Sequence, residues 1–236
     1  MRILVIGGMH GNEPLGINLV KLINKKPINN ITAILANEKA VLKNKRFIKK
    51  DLNRSFPGNK NSKDYELKRA HELLKLCKEF NLVFDFHNTD SENNNCSFVG
   101  NKAKQFLFNI SSYIGLNKVV SADYDCINKY ALNCISIEIS VKDKLSNPNY
   151  WYKKIKNLSK ISKLPEAKNI QKYKFVYRIT LTDKKKFNLK KSDFTIFKPI
   201  SKSVAKKLKV KTPAYPIFIS DKFTPYNFGG LLNKVK

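Results

Sequence analysis

The chain opens on "MRILVIGG", an apolar run from Ile3 to Ile6 closed by two glycines. A strand that is apolar at every position, rather than at alternate ones, needs cover on both faces. That environment is the interior of a parallel sheet flanked by helices. The next segments agree. "PLGINLVKLINKK" spaces Leu15, Ile17, Leu19, Val20, Leu22 and Ile23 as a helix does, and "NITAILAN" reads as a second strand. Strand, helix and strand in succession imply an α/β layer with a largely parallel sheet.

Further along, "NEKAVLKNKRFIKKDLNRSFPGNKNS" has no clean period and ends in turn formers, the texture of a long functional loop. "SKDYELKRAHELLKLCKEF" predicts a helix, with Ser62 as its N-cap and Tyr65, Leu67, Ala70, Leu73, Leu74 and Cys77 as apolar positions. "NLVFDFHNT", "KVVSA" and "CISIEIS" read as strands. "NKAKQFLFNISSYIGL" reads as a helix capped by Asn101, and "NPNYWYKKIKNLSKI" as one with Pro148 near its start. From about residue 170 the texture changes: "QKYKFVYRITLT", "DFTIFKP" and "AYPIFIS" are strand-like and separated by turns. The expected organisation is an α/β domain over residues 1–168 and a small β-rich C-terminal domain over 169–236.

The 236 residues are 42% hydrophobic, enough for a substantial core, and carry a net charge of +28. Such a charge suits a polyanion-binding surface. Of the 46 basic residues, however, five are arginine and the other 41 are lysine, scattered through every region among abundant asparagine and isoleucine. An AT-rich genome produces that bias without selection for binding, and base readers favour arginine. No specific nucleic-acid partner is expected. No run approaches the roughly 20 apolar residues of a membrane span, and the opening run is too short for a secretory h-region. A cytoplasmic protein with no membrane partner is expected, and assembly into a homo-oligomer is left open. Cys77, Cys96, Cys126 and Cys134 form no CxxC pair and are read as reduced structural residues.

Open α/β sheets bind ligands beyond the carboxyl ends of their strands, and three stretches place ionisable side chains there. In "GGMHGNEP", His10 and Glu13 form an H-x-x-E pair on a glycine-flanked turn. In "FDFHNT", His87 lies near a strand end. Two histidines and a carboxylate are the protein half of a catalytic zinc site, although H-x-x-E alone is a weak signal and a strand-end histidine alone is more often a hydrogen-bonded core residue. Asp85, two residues before His87 and on the same strand face, is a candidate to orient a metal-bound imidazole or to make a structural hydrogen bond. In "ISIEIS", Glu138 fits a general base in a dry site. The alternation of Ile135, Ile137 and Ile139 with Ser136, Glu138 and Ser140 also fits a strand with one wet face. Arg46 and Arg54, eight residues apart in the long loop, can grip a carboxylate or an oxyanion, or form ion pairs with Asp51. His71, on its helix without an H-x-x-x-H partner, reads as structural or exposed.

In order along the chain, "GGMHGNEP", "NEKAVLKNKRFIKKDLNRSFPG", "YELKRAHEL", "FDFHNT" and "IEI" resemble the aspartoacylase and succinylglutamate desuccinylase family. The likeness is greatest over residues 1–95 and thins beyond 140. It implies a zinc carboxypeptidase-like α/β fold with a small C-terminal β-domain. It also implies a metal-dependent amidohydrolase that deacylates a small N-acyl amino acid of the N-acetylaspartate type. Carried over position by position, it implies His10, Glu13 and His87 as ligands of one Zn2+ per chain. Glu138 would activate the water and Arg46 would stabilise the oxyanion. Asn53 and Arg54 would hold a substrate carboxylate, and Tyr226 would be an active-site tyrosine. The sequence departs from the family pattern where serines flank the "IEI" core and where "KYALNC" lacks an arginine found upstream of the glutamate in aspartoacylases. The same machinery acting on an N-succinyl amino acid or a peptide C-terminus is one alternative. A non-enzymatic polyanion binder that kept the fold is another.

Overall fold

The computed structural model describes residues 1–221 and 227–235. Its frame is one nine-stranded mixed sheet. Strands β1 (Ile3–Gly7), β2 (Ile31–Leu35), β3 (Leu82–Thr89), β4 (Cys96–Gly100), β5 (Lys118–Ala122), β6 (Cys134–Ser140), β7 (Gln171–Thr180), β8 (Tyr215–Ile217) and β9 (Asn227–Val235) lie in the order β2-β1-β3-β6-β4-β5-β7-β9-β8. The β1–β2, β1–β3, β3–β6, β4–β5 and β5–β7 pairs are parallel. The β4–β6, β7–β9 and β8–β9 pairs are antiparallel. The expected mixed, largely parallel α/β fold is what forms.

Helices α1 (Pro14–Lys25), α4 (Gln105–Ile114) and α6 (Pro148–Ser159) cover one face, packing Leu19, Ile110 and Trp151 against Val5, Phe84, Ile137 and Ile139. Helices α3 (Tyr65–Cys77) and α5 (Ile127–Tyr130) cover the other, where Leu73 and Ile127 meet Leu4, Ile6 and Val83. This is why β1 and β3 are buried along their whole length. A short α2 (Glu38–Leu42) and a 3-10 turn at Leu52–Arg54 interrupt the long loop. The boundary expected at residue 168 falls in the irregular stretch between α6 and β7, and sheet hydrogen bonding runs across it through β5 and β7. The C-terminal strands, with α7 (Leu181–Lys186) and α8 (Lys202–Leu208), enclose a core of their own around Ile179, Leu208 and Phe228. Among the described residues no helix is long and apolar enough to cross a membrane.

Several local expectations are corrected. Helix α3 begins at Tyr65 with Asp64 as its N-cap, and Ser62 instead accepts the Asp64 N–H through its hydroxyl. Lys104, not Asn101, precedes α4. "DFTIFKP" is not a strand: a 3-10 turn and irregular backbone carry Phe194, Phe197 and Ile200 into the C-terminal cores. β4 and β9 are strands that the patterning did not reveal. All four cysteines are buried free thiols.

Candidate metal and active site

The carboxyl ends of β1, β3 and β6 meet at one point. Gly8, with φ +68°, turns the chain out of β1. Gly11 then packs against α2 so closely that a Cβ there would lie 2.1 Å from the Ala40 carbonyl carbon. This turn leaves His10 pointing back over the sheet. Glu13 is the N-cap of α1 but makes no capping hydrogen bond, and Pro14 follows it at the first helical position. Asn88 of β3 takes over the capping task by accepting the Leu15 N–H at 2.8 Å. The Glu13 carboxylate is thereby released to face the site, where the Asn88 N–H donates to it at 3.3 Å.

Both imidazoles turn Nδ1 towards that carboxylate. His10 Nδ1 lies 2.7 Å from Glu13 Oε1, and His87 Nδ1 lies 2.9 Å from Glu13 Oε2. Each ring is pinned from behind by a second carboxylate. His10 Nε2–H donates to Asp51 at 3.2 Å, and His87 Nε2–H donates to Asp85 at 2.7 Å. One ligand atom from each of His10, Glu13 and His87 lies within 4.8 Å of the others, and all three residues are buried. Asp85 also accepts from the Ser136 hydroxyl at 3.1 Å. Its other oxygen, Oδ1, is buried without a hydrogen-bond partner among the described residues.

The charges are balanced by proximity rather than by solvent. Burial pushes the Glu13 carboxyl up, but the His10 and His87 imidazoles outweigh it and hold Glu13 well below the usual carboxylate range. Burial likewise opposes ionisation of Asp51, and His10 with Arg46 reverses that effect. The imidazoles respond in kind. Burial disfavours their cationic forms, yet Glu13 beside His10 and Asp85 beside His87 raise both pKa values above the ordinary histidine value. Four carboxylates (Glu13, Asp51, Asp85 and Glu138) thus gather around two imidazoles and one guanidinium. Two Nδ1 atoms converging on a carboxylate, with each Nε2–H tied to another carboxylate, form the donor set and backing that suit a divalent cation.

Glu138 lies directly across from His87 in the β3–β6 register. Every residue of β6 is buried except Glu138, which is half-buried against the cavity, so its face opens on the site rather than on bulk water. Ile135, Ile137 and Ile139 enter one core, while Ser136 and Glu138 share the face of Asp85 and His87. Burial pushes the Glu138 carboxyl up to about 7, against the pull of the His87 imidazole. Arg46 reaches Asp51 with Nε at 3.3 Å and Nη2 at 3.0 Å, and lies 3.6 Å from Glu13. Its loop is held by Glu66, a fully buried carboxylate on α3 that accepts the Ile48 and Lys49 N–H groups at 2.8 and 3.2 Å.

These groups open into a cavity of about 500 Å3 whose lining includes His10, Glu13, Arg46, Asn53, Arg54, Tyr124, Glu138 and Phe218. Asn53 accepts the Ile127 N–H at 3.3 Å, and Arg54 stacks over Tyr124, 4.5 Å from guanidinium carbon to ring centroid. His71 lies away on α3. Tyr226 lies outside the described residues. The sequence reading passed over Tyr124, Asn88 and Glu66. Of these, Glu66 had a usable signal, since it falls on the same helical stripe as Ala70, Leu73 and Cys77.

Residues 1–131, more than half of the chain, match the model of the succinylglutamate desuccinylase/aspartoacylase catalytic domain. The chain belongs to that family. Within it, the chain is 33% identical over 134 residues to the N-acyl-aromatic-L-amino acid amidohydrolase (carboxylate-forming) of Rattus norvegicus, covering 49% of this chain and 42% of that protein. It is also 33% identical over 139 residues to a probable aspartoacylase of Nostoc, covering 52% and 47%. The match thus spans less than half the length of these relatives. Two solved structures share the fold over the whole chain. Succinylglutamate desuccinylase from Chromobacterium violaceum has a TM-score of 0.75 at 17% identity, with 85% of that chain covered. Murine aminoacylase 3 has 0.68 at 19% identity, with 96% covered. The family match takes in His10, Glu13, Arg46, Asn53, Arg54 and His87, and ends before Glu138.

Proposed function

We propose that this chain is a zinc-dependent deacylase that hydrolyses the amide of an N-acyl amino acid of the N-acetylaspartate type. The observation that carries the reading is the convergence of His10, Glu13 and His87 on one point of a cavity also lined by Glu138 and Arg46. His10, Glu13 and His87 would hold the ion. When bound, zinc supplies Lewis acidity, lowering the pKa of a water and polarising a carbonyl oxygen.

The chain's own residues divide the remaining work. Glu138, held near neutrality by burial, takes a proton from the attacking water and returns it to the departing amine nitrogen. The Arg46 guanidinium stabilises the negative charge that develops on the carbonyl oxygen. Asn53 and Arg54 hold the substrate carboxylate, which orients the amide towards Glu138. Asp51 and Asp85 keep the two imidazoles turned towards the ion.

The test is a panel of N-acyl amino acids given to zinc-loaded protein, with free acid and free amino acid measured as products. Release of both from at least one member, lost on chelation and restored by zinc, is the expected result. No release from any member overturns the reading. Asp85→Asn is expected to weaken zinc affinity by about 10- to 100-fold, because the amide no longer accepts from His87 Nε2–H with full charge. Competition with a chromophoric chelator measures this.

A further inference from the structure

Ser136 takes no step in the chemistry above. It is one of the two serines by which the sequence departs from the family pattern around "IEI", and it lies beyond the residues that match the family. Its side chain is buried, and the β3–β6 register sets it across from Asp85, two residues before the His87–Glu138 pair. Residues two apart on a strand share a face, so all four side chains do. The Ser136 hydroxyl lies 3.1 Å from Asp85 Oδ2 and 2.9 Å from Asn128 Oδ1. A hydroxyl carries a single proton, so these two acceptors compete for it. The Asn128 amide cannot reverse itself to supply a donor instead, because its Nδ2 group donates to the Phe98 and Cys134 carbonyls, both at 3.2 Å.

The competition favours Asp85. Asn128 Oδ1 has a second donor in reach, the Cys126 thiol at 3.9 Å. Asp85 has no such reserve. It is fully buried, and among the described residues its side chain accepts only from His87 and Ser136, both at Oδ2, while Oδ1 has no partner. A hydroxyl binds a carboxylate more strongly than a neutral amide, and a buried charge left short of donors costs more than a buried amide oxygen. With His87 as its one donor, the carboxylate could turn about its Cβ–Cγ bond and carry the imidazole with it. A second donor, fixed on β6, sets its plane. We propose that Ser136 is a positioning residue of the metal centre: it holds Asp85, and through Asp85 it aims His87 Nδ1 at the ion. This rests on the reading of His10, Glu13 and His87 as the ion's ligands. The serine in "SIEI" thereby gains a task that the family pattern does not require.

The experiment measures zinc affinity, by competition with a chromophoric chelator, for wild type, Ser136→Ala, Asp85→Asn and the double variant. It adds the visible spectra of Co2+-loaded wild type and Ser136→Ala. Ser136→Ala removes the hydroxyl and keeps the strand, and is expected to weaken zinc binding by about 5- to 20-fold, at the lower end of what loss of an outer-shell partner costs. In the Asp85→Asn background the same change should cost less than about 2-fold, because the two residues act through one contact. The Co2+ bands should shift in Ser136→Ala as His87 changes its angle to the ion; this arm stands even if Asp85→Asn fails to fold. Unchanged zinc affinity with an unchanged Co2+ spectrum, or an equal loss with and without Asp85, overturns the proposal, since the hydroxyl would then serve only Asn128 and the packing of β6. If zinc binds but no substrate is hydrolysed, the deacylase reading fails while the affinities still decide on Ser136. Wild type that takes up no zinc overturns the proposal together with the metal reading.

Discussion

His10→Ala protein is expected to emerge from purification with only traces of zinc and to hydrolyse N-acyl amino acids more than about 100-fold more slowly than wild type, beyond the effect of losing an outer-shell partner. The substitution removes one of the three converging donors and leaves Glu13 and His87 as the remaining pair. It also removes a neighbour that holds Glu13 ionised and one of the N–H donors to Asp51. Glu13 is left with His87 and Arg46, and Asp51 with Arg46, so the buried carboxylates are less well compensated and the site is disfavoured electrostatically as well as geometrically. Elemental analysis and steady-state rates on the same preparation measure the outcome. His71→Ala provides the contrast: this histidine sits on α3 outside the converging group, and its replacement should leave both metal and rate intact. Retention of zinc and of full activity by His10→Ala would remove the basis for the metal reading.

The β1–α1–β2 unit was legible because its signals are long and local: an unbroken apolar strand, a helical period and a glycine turn. α6 was legible for similar reasons. β4 was not, because "CSFVG" is too short to establish a period and follows a run of asparagines. "DFTIFKP" looked like a strand because its apolar residues are spaced like one. Phe194, Phe197 and Ile200 are buried, yet they pack into the C-terminal cores from irregular backbone. The placement of the site divides in the same way. His10, Glu13 and His87 announce themselves as rare residue types at predicted strand ends. The orientation of Glu138 does not, because a strand face turned towards a cavity and one turned towards bulk water have the same alternating pattern. What decides it is the covering of β6 by neighbours far away in sequence.

The same β6 geometry sets the second large effect. Glu138→Gln is expected to lower kcat by about 10^2- to 10^4-fold while leaving zinc content unchanged. The amide matches the carboxylate in size and keeps the strand packing, but it cannot take a proton from water at neutral pH. Glu138 lies across from His87 yet makes no hydrogen bond to any described side chain, so its carboxylate is available for proton transfer. Burial raises its pKa to about 7, which places the basic and acidic forms within easy reach of each other near neutral pH. That property suits a group that must first accept a proton and then deliver it to a leaving amine. A metal-loaded Glu138→Gln protein with an unchanged KM and a collapsed kcat would mark the lost interaction as one made in the transition state. If it kept the wild-type rate, the proton would be travelling by another route, and the reading of Glu138 as the base would be wrong even with the metal centre intact.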